Sequence, residues 1–137
     1  MKLKRKCQRG VTLMELVVTV IVVSILAGAG IPMYLQFSQD ARRTDAQRLL
    51  SELVSRQEQF RLHNKTYTAA LGAGGLNGDT QTEDGSYRLE LVDPSDACPL
   101  VSCFELRAVP QGRQTEDDCG TLTYTSSGQK KPSTCWP

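Results

Sequence analysis

One ionisable side chain, Glu15, stands inside an apolar stretch near the start of the chain. A basic leader of ten residues, which ends in Gly10, precedes this stretch, and the apolar residues begin at Val11. A carboxylate inside hydrocarbon is costly unless it finds a partner, so its presence there indicates a function. A secretory signal has its small-residue cleavage site after the apolar region, whereas here the glycine comes before it. Cleavage after Gly10 would keep the apolar segment and leave a free amine on Val11.

The cysteines are the second set of residues with chemistry of their own. Cys7 lies in the leader, and the other four are Cys98, Cys103, Cys119 and Cys135. An even number of cysteines in a translocated domain is typical of disulfides, and four cysteines permit three pairings. A zinc site is the alternative, but these spacings lack the short paired intervals of a zinc ribbon. We therefore expect two disulfides and no metal.

Other candidates for chemistry are weak. The single histidine, His63, falls near a predicted helix end, where a surface or capping role is expected rather than catalysis. Asp117 and Asp118 precede Cys119 and could suggest calcium, but no spaced series of oxygen ligands accompanies them. We interpret them as solvated charges in a turn. The sequence predicts no catalytic residues and no cofactor.

Charge is unevenly distributed along the chain. The leader holds five of the sixteen basic residues and no acid, so the remainder carries eleven basic and fifteen acidic side chains, a net charge of −4. Net charge therefore gives no support to nucleic-acid binding. The basic leader predicts a cytoplasmic N-terminus and a translocated remainder.

The elements that must position these residues begin with a membrane helix. Twenty residues, Leu16–Leu35, include only Thr19 and Ser24 as mildly polar members. At ~1.5 Å per residue this length covers the ~30 Å hydrocarbon core. Pro32 removes a backbone donor near its far end, so we expect a bend there.

An amphipathic helix and then strands follow. Apolar residues recur at three- and four-residue steps from about residue 33 to His63, and Asn64 marks the expected end of the helix. Alternation with period two then predicts three strands of an antiparallel meander, carried by Tyr87, Leu89 and Leu91; by Phe104, Leu106 and Ala108; and by Leu122 and Tyr124. The helix is the long element available to cover the sheet. The predicted fold is α+β, a long N-terminal helix packed on a small C-terminal antiparallel β-sheet.

The basic leader, Gly10, Val11, Thr12 and Glu15 together resemble the class III signal of type IV prepilins and of type II secretion pseudopilins. The family most often has phenylalanine where this chain has Val11. The resemblance implies cleavage between Gly10 and Val11 by a prepilin peptidase, N-methylation of Val11 and a role for Glu15 in subunit assembly. It also implies three regions, namely the leader (1–10), a transmembrane and assembly half of the helix (11–35), and a periplasmic globular domain that includes the amphipathic half (36–137).

The C-terminal tail is similar to that of PilE-type minor pilins, in which a strand and its return are closed by one disulfide. The similarity lies in Cys119 to Tyr124, Ser127 to Lys130, and Cys135 with Trp136. We expect Cys119 to pair with Cys135, which would tie the end of the chain to the sheet. We also expect Cys98 to pair with Cys103, because the two lie five residues apart around Pro99 and a turn can bring them within bridging distance.

These features predict a minor pilin that takes part in priming or incorporation during assembly of a type IV pilus. Its expected partners are other major and minor pilins, the prepilin peptidase and the inner-membrane assembly platform. The resemblance implies a single-pass protein of the bacterial inner membrane with a periplasmic C-terminal domain, which reaches the extracellular pilus after assembly. A type II secretion pseudopilin is one alternative. Another is an adhesive or DNA-capturing pilin that uses Lys130 and Lys131, although two lysines give little phosphate affinity. An enzyme is not expected.

Overall fold

The computed structural model describes residues 10–137, apart from the side chain of Ala29. The first nine residues, with Cys7 and the basic cluster, lie outside this part of the chain. The described part contains one α-helix, α1 (Leu13–Asn64), and two short 3-10 helices, Gly112–Glu116 and Ser133–Cys135. It also contains the strands β1 (Tyr87–Leu91), β2 (Glu105–Pro110), β3 (Leu122–Thr125) and β4 (Lys130–Lys131).

The described residues up to Phe37 form one compact unit and Ser38–Pro137 form the other. The first unit is helical from Leu13, and at the helix start the Thr12 hydroxyl accepts a hydrogen bond from the Glu15 amide at 3.2 Å. By length and composition α1 is able to cross a membrane, since its most apolar window has a mean hydropathy of 2.4. The helix is continuous through Pro32, and the bend stays a prediction.

In the second unit, α1 buries the predicted apolar stripe. Ala46, Leu49, Leu50 and Leu53 are each at most 4% exposed. They share one core with side chains from the inner face of the sheet, namely Tyr87, Leu89, Leu106, Ala108 and Leu122. Helix and sheet thus cover each other's apolar faces, as expected for an α+β domain. The predicted fold class is confirmed.

The sheet is an antiparallel meander in the order β1-β2-β3-β4. Its register places Leu89 opposite Ala108 and Ala108 opposite Leu122, so three buried side chains lie in one row across the sheet. Phe104, predicted as a strand residue, lies just before β2 and is buried. The short strand β4 returns along β3, and its brevity and two lysines limit pairing with other chains at this edge.

Buried side chains and two hydrogen bonds from Gln57 hold the long loop that follows α1. Tyr67 and Leu71 are buried. The buried Gln57 side chain binds the loop backbone twice, donating to the Thr68 carbonyl at 2.6 Å and accepting from the Thr68 amide at 3.0 Å. These bonds satisfy an amide that would otherwise be unpaired in the core.

Candidate functional site

Glu15 lies on an exposed apolar surface of the first unit. The large apolar side chains from Val11 to Leu35 are 43–82% exposed. Glu15 is also exposed, and a shallow groove beside it is lined by Met14, Val18 and Val22, with Thr12 and Thr19 at its edges. An apolar helix with one carboxylate is suited to a bilayer or a helix bundle in which a cation reaches that carboxylate.

A buried ionic cluster joins α1 to the segment before the tail in the second unit. Arg43 donates two hydrogen bonds to the Asp117 carboxylate, from Nη2 to Oδ1 at 2.6 Å and from Nε to Oδ2 at 3.0 Å. Tyr87 Oη, Gln114 Nε2 and the Cys119 amide also donate to this carboxylate, at 3.1, 2.9 and 3.1 Å. This cluster of Arg43, Tyr87, Gln114 and Asp117 is called the Asp117 cluster below. It fixes the start of the tail relative to α1.

The environment of the Asp117 cluster changes its ionisation. Burial opposes ionisation of Asp117, but the hydrogen bonds from Arg43 and the Cys119 amide outweigh it and lower the pKa of the carboxyl. The hydrogen bond to Asp117 raises the pKa of Arg43. Burial raises the pKa of Tyr87 to about 12. At neutral pH the cluster therefore holds one carboxylate, one guanidinium and a neutral phenol.

These contacts correct the interpretation of Asp117 and Asp118 as solvated charges in a turn. Asp118 is exposed, but Asp117 is only 6% exposed and is bound by a cation. The error arose because Asp117 and Arg43 are 74 positions apart, so no local pattern links them. Within residues 10–137 no group of three or more His, Cys, Asp or Glu side chains is placed to hold a metal ion.

The C-terminal tail is held at two points. Cys119 is bonded to Cys135, with their Cα atoms 6.0 Å apart. Gln47 on α1 donates from Nε2 to the Cys135 carbonyl at 2.6 Å. The disulfide reduces the conformational freedom of the chain, and the hydrogen bond to the Cys135 carbonyl satisfies the buried side-chain amide of Gln47. Both constraints therefore hold the tail in place.

An aromatic and cationic surface is built on this tail. Lys130 Nζ lies 5.1 Å from the ring centroid of Tyr124 and 4.9 Å from that of Trp136. The two rings are 5.6 Å apart at 72° to each other, an edge-to-face pair. Trp136 Nε1 donates to the Lys131 carbonyl at 3.3 Å. We call Tyr124, Lys130 and Trp136 the aromatic–lysine cluster; its rings are half-buried, and Lys131 beside it is exposed.

The second disulfide closes a short loop. Cys98 is bonded to Cys103, with Cα atoms 5.2 Å apart. Inside this loop, the Leu100 carbonyl accepts hydrogen bonds from the Tyr67 amide at 2.8 Å and the Thr66 hydroxyl at 3.1 Å. The bond therefore orders a loop that holds the segment after α1. Both cysteine pairs are those expected from the sequence.

Sequence reasoning missed the polar side chains that α1 buries. Extending the apolar stripe back three residues from Ala46 reaches Arg43, and forward four residues from Leu53 reaches Gln57. Both positions face the domain, where Arg43 binds Asp117 and Gln57 binds Thr68. A polar residue at a position that continues an apolar stripe was therefore the sequence signal for a buried polar contact. The exposed His63, in contrast, lies near the helix end as expected.

An apolar helix bearing one carboxylate near its start, an amphipathic helical segment packed on an antiparallel meander, and a disulfide-closed tail define a type IV pilin. Residues 5–31 match the family described as prokaryotic N-terminal methylation motif. Residues 32–123 match the family described as type IV minor pilin ComP, DNA uptake sequence receptor. The chain belongs to this minor pilin family.

A solved structure agrees with the family. The structure of a type IV pilin from Shewanella oneidensis is similar to this chain with a TM-score of 0.56 and 29% identity, over 72% of this chain and 98% of that one. No curated protein matches the chain. The minor pilin prediction is confirmed, and the family and fold are structural rather than enzymatic. Membership implies contact with other pilins and with pilus machinery, and the motif and apolar helix fit a membrane-anchored pilin.

Proposed function

We propose that this minor pilin is cleaved between Gly10 and Val11, methylated on Val11, and drawn from the inner membrane into a type IV pilus through Glu15. The observation that carries the proposal is the single carboxylate on an otherwise apolar, exposed helical surface, together with the matching methylation motif. The prepilin peptidase and the inner-membrane assembly platform are the machinery that this route requires.

The role of Glu15 follows from electrostatics in a medium of low polarity. Cleavage creates a cationic α-amine at Val11, four residues before Glu15. When helices bundle in hydrocarbon, a carboxylate needs a counter-charge, and the Val11 amine of an adjacent subunit supplies one. Pairing between subunits would set the axial position of one helix against the next.

The test is to substitute Glu15 in the host strain and measure the protein in sheared pili. Glu15→Gln keeps the size of the side chain but removes its charge, so we expect normal processing and membrane level with at least a tenfold loss from pili, since pairing of a buried charge exceeds about 1.4 kcal/mol. Glu116→Gln, which removes an exposed carboxylate from the second unit, is the matched control. Normal incorporation of Glu15→Gln would remove this role.

A second function is favoured by the family description and by one surface. We infer that the folded domain is also a DNA receptor, since the matching family is described as a DNA uptake sequence receptor. Support within the chain comes from the tail, where Lys130, Lys131 and two aromatic rings lie together. Cations and aromatic rings are the groups that bind nucleic-acid phosphates and bases.

DNA binding is tested by titrating labelled DNA with the full mature chain in neutral detergent micelles. We expect saturable binding that is lost when Lys130 and Lys131 are both changed to Glu. Arg48→Glu with Arg56→Glu is the control, because those arginines pair with carboxylates along α1. Absence of binding to single-stranded and duplex DNA alike would contradict the receptor function and leave the assembly function intact.

A further inference from the structure

A reactive pair of residues, Asn77 and Gly78, ends a loop of residues 70–78 that follows α1. Asn77 is exposed and has a φ of 51°, in the left-handed region that asparagine enters more readily than most residues. An asparagine that precedes glycine is prone to spontaneous deamidation, because glycine has no Cβ to keep its backbone nitrogen away from the asparagine side chain. Asn64, the other asparagine of the chain, precedes Lys65, whose side chain hinders the same reaction.

Packing of the loop on α1 requires the glycine of this pair. A Cβ atom added to Gly78 would lie 2.5 Å from Cδ2 of Leu53, which is 1% exposed in the core. A contact that short would displace a buried side chain from a closely packed position. The fold therefore keeps a dipeptide that is prone to deamidation.

Hydrogen bonds within the loop oppose the reaction. The Asn77 amide donates to the Gly72 carbonyl at 2.9 Å, and the Gly78 amide donates to the Leu71 carbonyl at 2.9 Å. The Gly78 nitrogen is the nucleophile, and it must lose its proton and turn toward the Asn77 side chain before it can react. Both changes break its hydrogen bond to Leu71, so the reaction requires local opening of the loop.

Arg56 holds the same loop against α1. Its Nη1 donates to the carbonyls of Leu76 and Asn77, at 3.1 and 3.2 Å. Its Nε and Nη2 donate to Glu52 Oε1, at 3.2 and 2.8 Å, so the guanidinium is itself fixed on the helix. Hydrogen bonds from a charged donor are stronger than those from a neutral one, so Arg56 should contribute more than a single backbone bond to keeping the loop closed.

We propose that Asn77 is a site of spontaneous modification, which becomes aspartate or isoaspartate when residues 70–78 open, and that Arg56 sets the rate by holding them closed. In the reaction, the deprotonated nitrogen of Gly78 bonds to Cγ of Asn77. The bond from Cγ to the side-chain nitrogen breaks, and that nitrogen takes up a proton from water and leaves as ammonia. Water then opens the cyclic imide at either carbonyl, which gives aspartate or an isoaspartate whose backbone runs through the side chain. Water is the only co-reactant.

Either product changes the contacts of the loop. Both add a negative charge to the residue whose carbonyl Arg56 binds. Isoaspartate also lengthens the backbone by a methylene group between Leu76, which is 6% exposed, and Gly78, which packs on Leu53. A closely packed core does not accommodate such an insertion without strain. Deamidation should therefore loosen the contact between this loop and α1.

The test compares the folded and unfolded forms of the full mature chain. The oxidised protein in neutral detergent micelles, and the same protein reduced in guanidinium chloride, are incubated in the same mildly alkaline buffer and sampled over time. Peptide mapping by mass spectrometry measures the aspartate and isoaspartate forms of the peptide that contains Asn77, with the Asn64 peptide as internal control. We expect conversion at Asn77 in the unfolded chain, conversion at least about 30-fold slower in the folded chain, and no measurable conversion at Asn64.

Two variants measure the contribution of Arg56. Arg56→Met keeps an apolar stem but removes both bonds to the loop, so the folded chain should deamidate at least about fivefold faster, with an unchanged rate after unfolding. Arg48→Met removes an arginine of the same helix that pairs with Asp45 and Glu52, and as the matched control it should keep the rate of the unaltered protein. Circular dichroism verifies that both variants are folded.

The unaltered protein alone decides whether the site exists and is protected. No conversion of Asn77 in the unfolded chain would overturn the site, and equal rates in the folded and unfolded chains would overturn its protection by the fold. A folded Arg56→Met variant that deamidates no faster than Arg48→Met would overturn the role of Arg56.

Discussion

Asp117→Asn should destabilise the folded domain strongly, because it leaves the Arg43 guanidinium without its main partner. The Asp117 side chain is 2% exposed and accepts two hydrogen bonds from Arg43, whose side chain is 20% exposed. Breaking a buried ion pair costs about 3–5 kcal/mol of unfolding free energy. Asp40 Oδ1 also lies 3.1 Å from Arg43 Nη2 and can serve as a substitute carboxylate partner, so we take the lower value, about 3 kcal/mol.

The loss should be visible in thermal unfolding followed by circular dichroism, with the oxidised full mature chain in detergent micelles. For a domain of this size, about 3 kcal/mol corresponds to a fall in Tm of about 12–24 °C. Asp118→Asn, which alters the exposed neighbouring carboxylate, is the control and should change stability by less than about 0.5 kcal/mol. Adding Arg43→Met to Asp117→Asn should recover part of the loss, because it removes the unpaired cation.

Lowering the pH should destabilise the domain for the same reason as Asp117→Asn. The folded-state pKa of Asp117 is lowered, so the stability that it contributes is present above its unfolded pKa of about 4 and is lost as pH falls through the folded pKa. Asp117→Asn should therefore flatten the acid limb of the stability profile. Equal stability losses for Asp117→Asn and Asp118→Asn, or an unchanged acid limb, would refute the reasoning.

Two further predictions concern the same domain. The pKa of Tyr87 is raised from 10.0 to about 12, so its contribution to stability is present below pH 10 and is lost as pH rises through 12. Tyr87→Phe should lessen this loss of stability at alkaline pH. Denaturant titrations measure it, and the same loss in Tyr87→Phe as in the unaltered protein would contradict the prediction. Replacing Cys119 and Cys135 with Ser should reduce the unfolding free energy by about 3 kcal/mol, against about 2 kcal/mol for Cys98 and Cys103, because their sequence separations are 16 and 5. Chemical denaturation of both variants checks the order, and a larger loss for Cys98 and Cys103 would contradict it.

The helix and the strands could be predicted because local periodicity determines them. The apolar stripe of α1 and the alternation from Tyr87 to Leu91 each reflect burial of one face. The tail could be predicted because its cysteines and the resemblance restrict the possible pairings. In each case the residues that specify the structure lie within one segment of the chain or are cysteines joined by a covalent bond.

The Asp117 cluster could not be predicted in this way. It joins residues from α1, β1 and the segment around the first 3-10 helix, and nothing in any one segment specifies the others. The aromatic–lysine cluster was only partly visible, since Lys130 and Lys131 were singled out as cations but their contact with Trp136 depends on how the tail folds back. Long-range polar contacts thus required the structure.

The most direct test of the central claim is intact mass spectrometry of the protein recovered from sheared pili. We expect a chain that begins at Val11, because cleavage after Gly10 frees the amine that Glu15 needs. The chain should also carry one added methyl group and retain two disulfides. A protein absent from pili, or a mature chain that begins beyond Ser24, would contradict the account, since such a chain would lack Glu15 and most of the apolar helix.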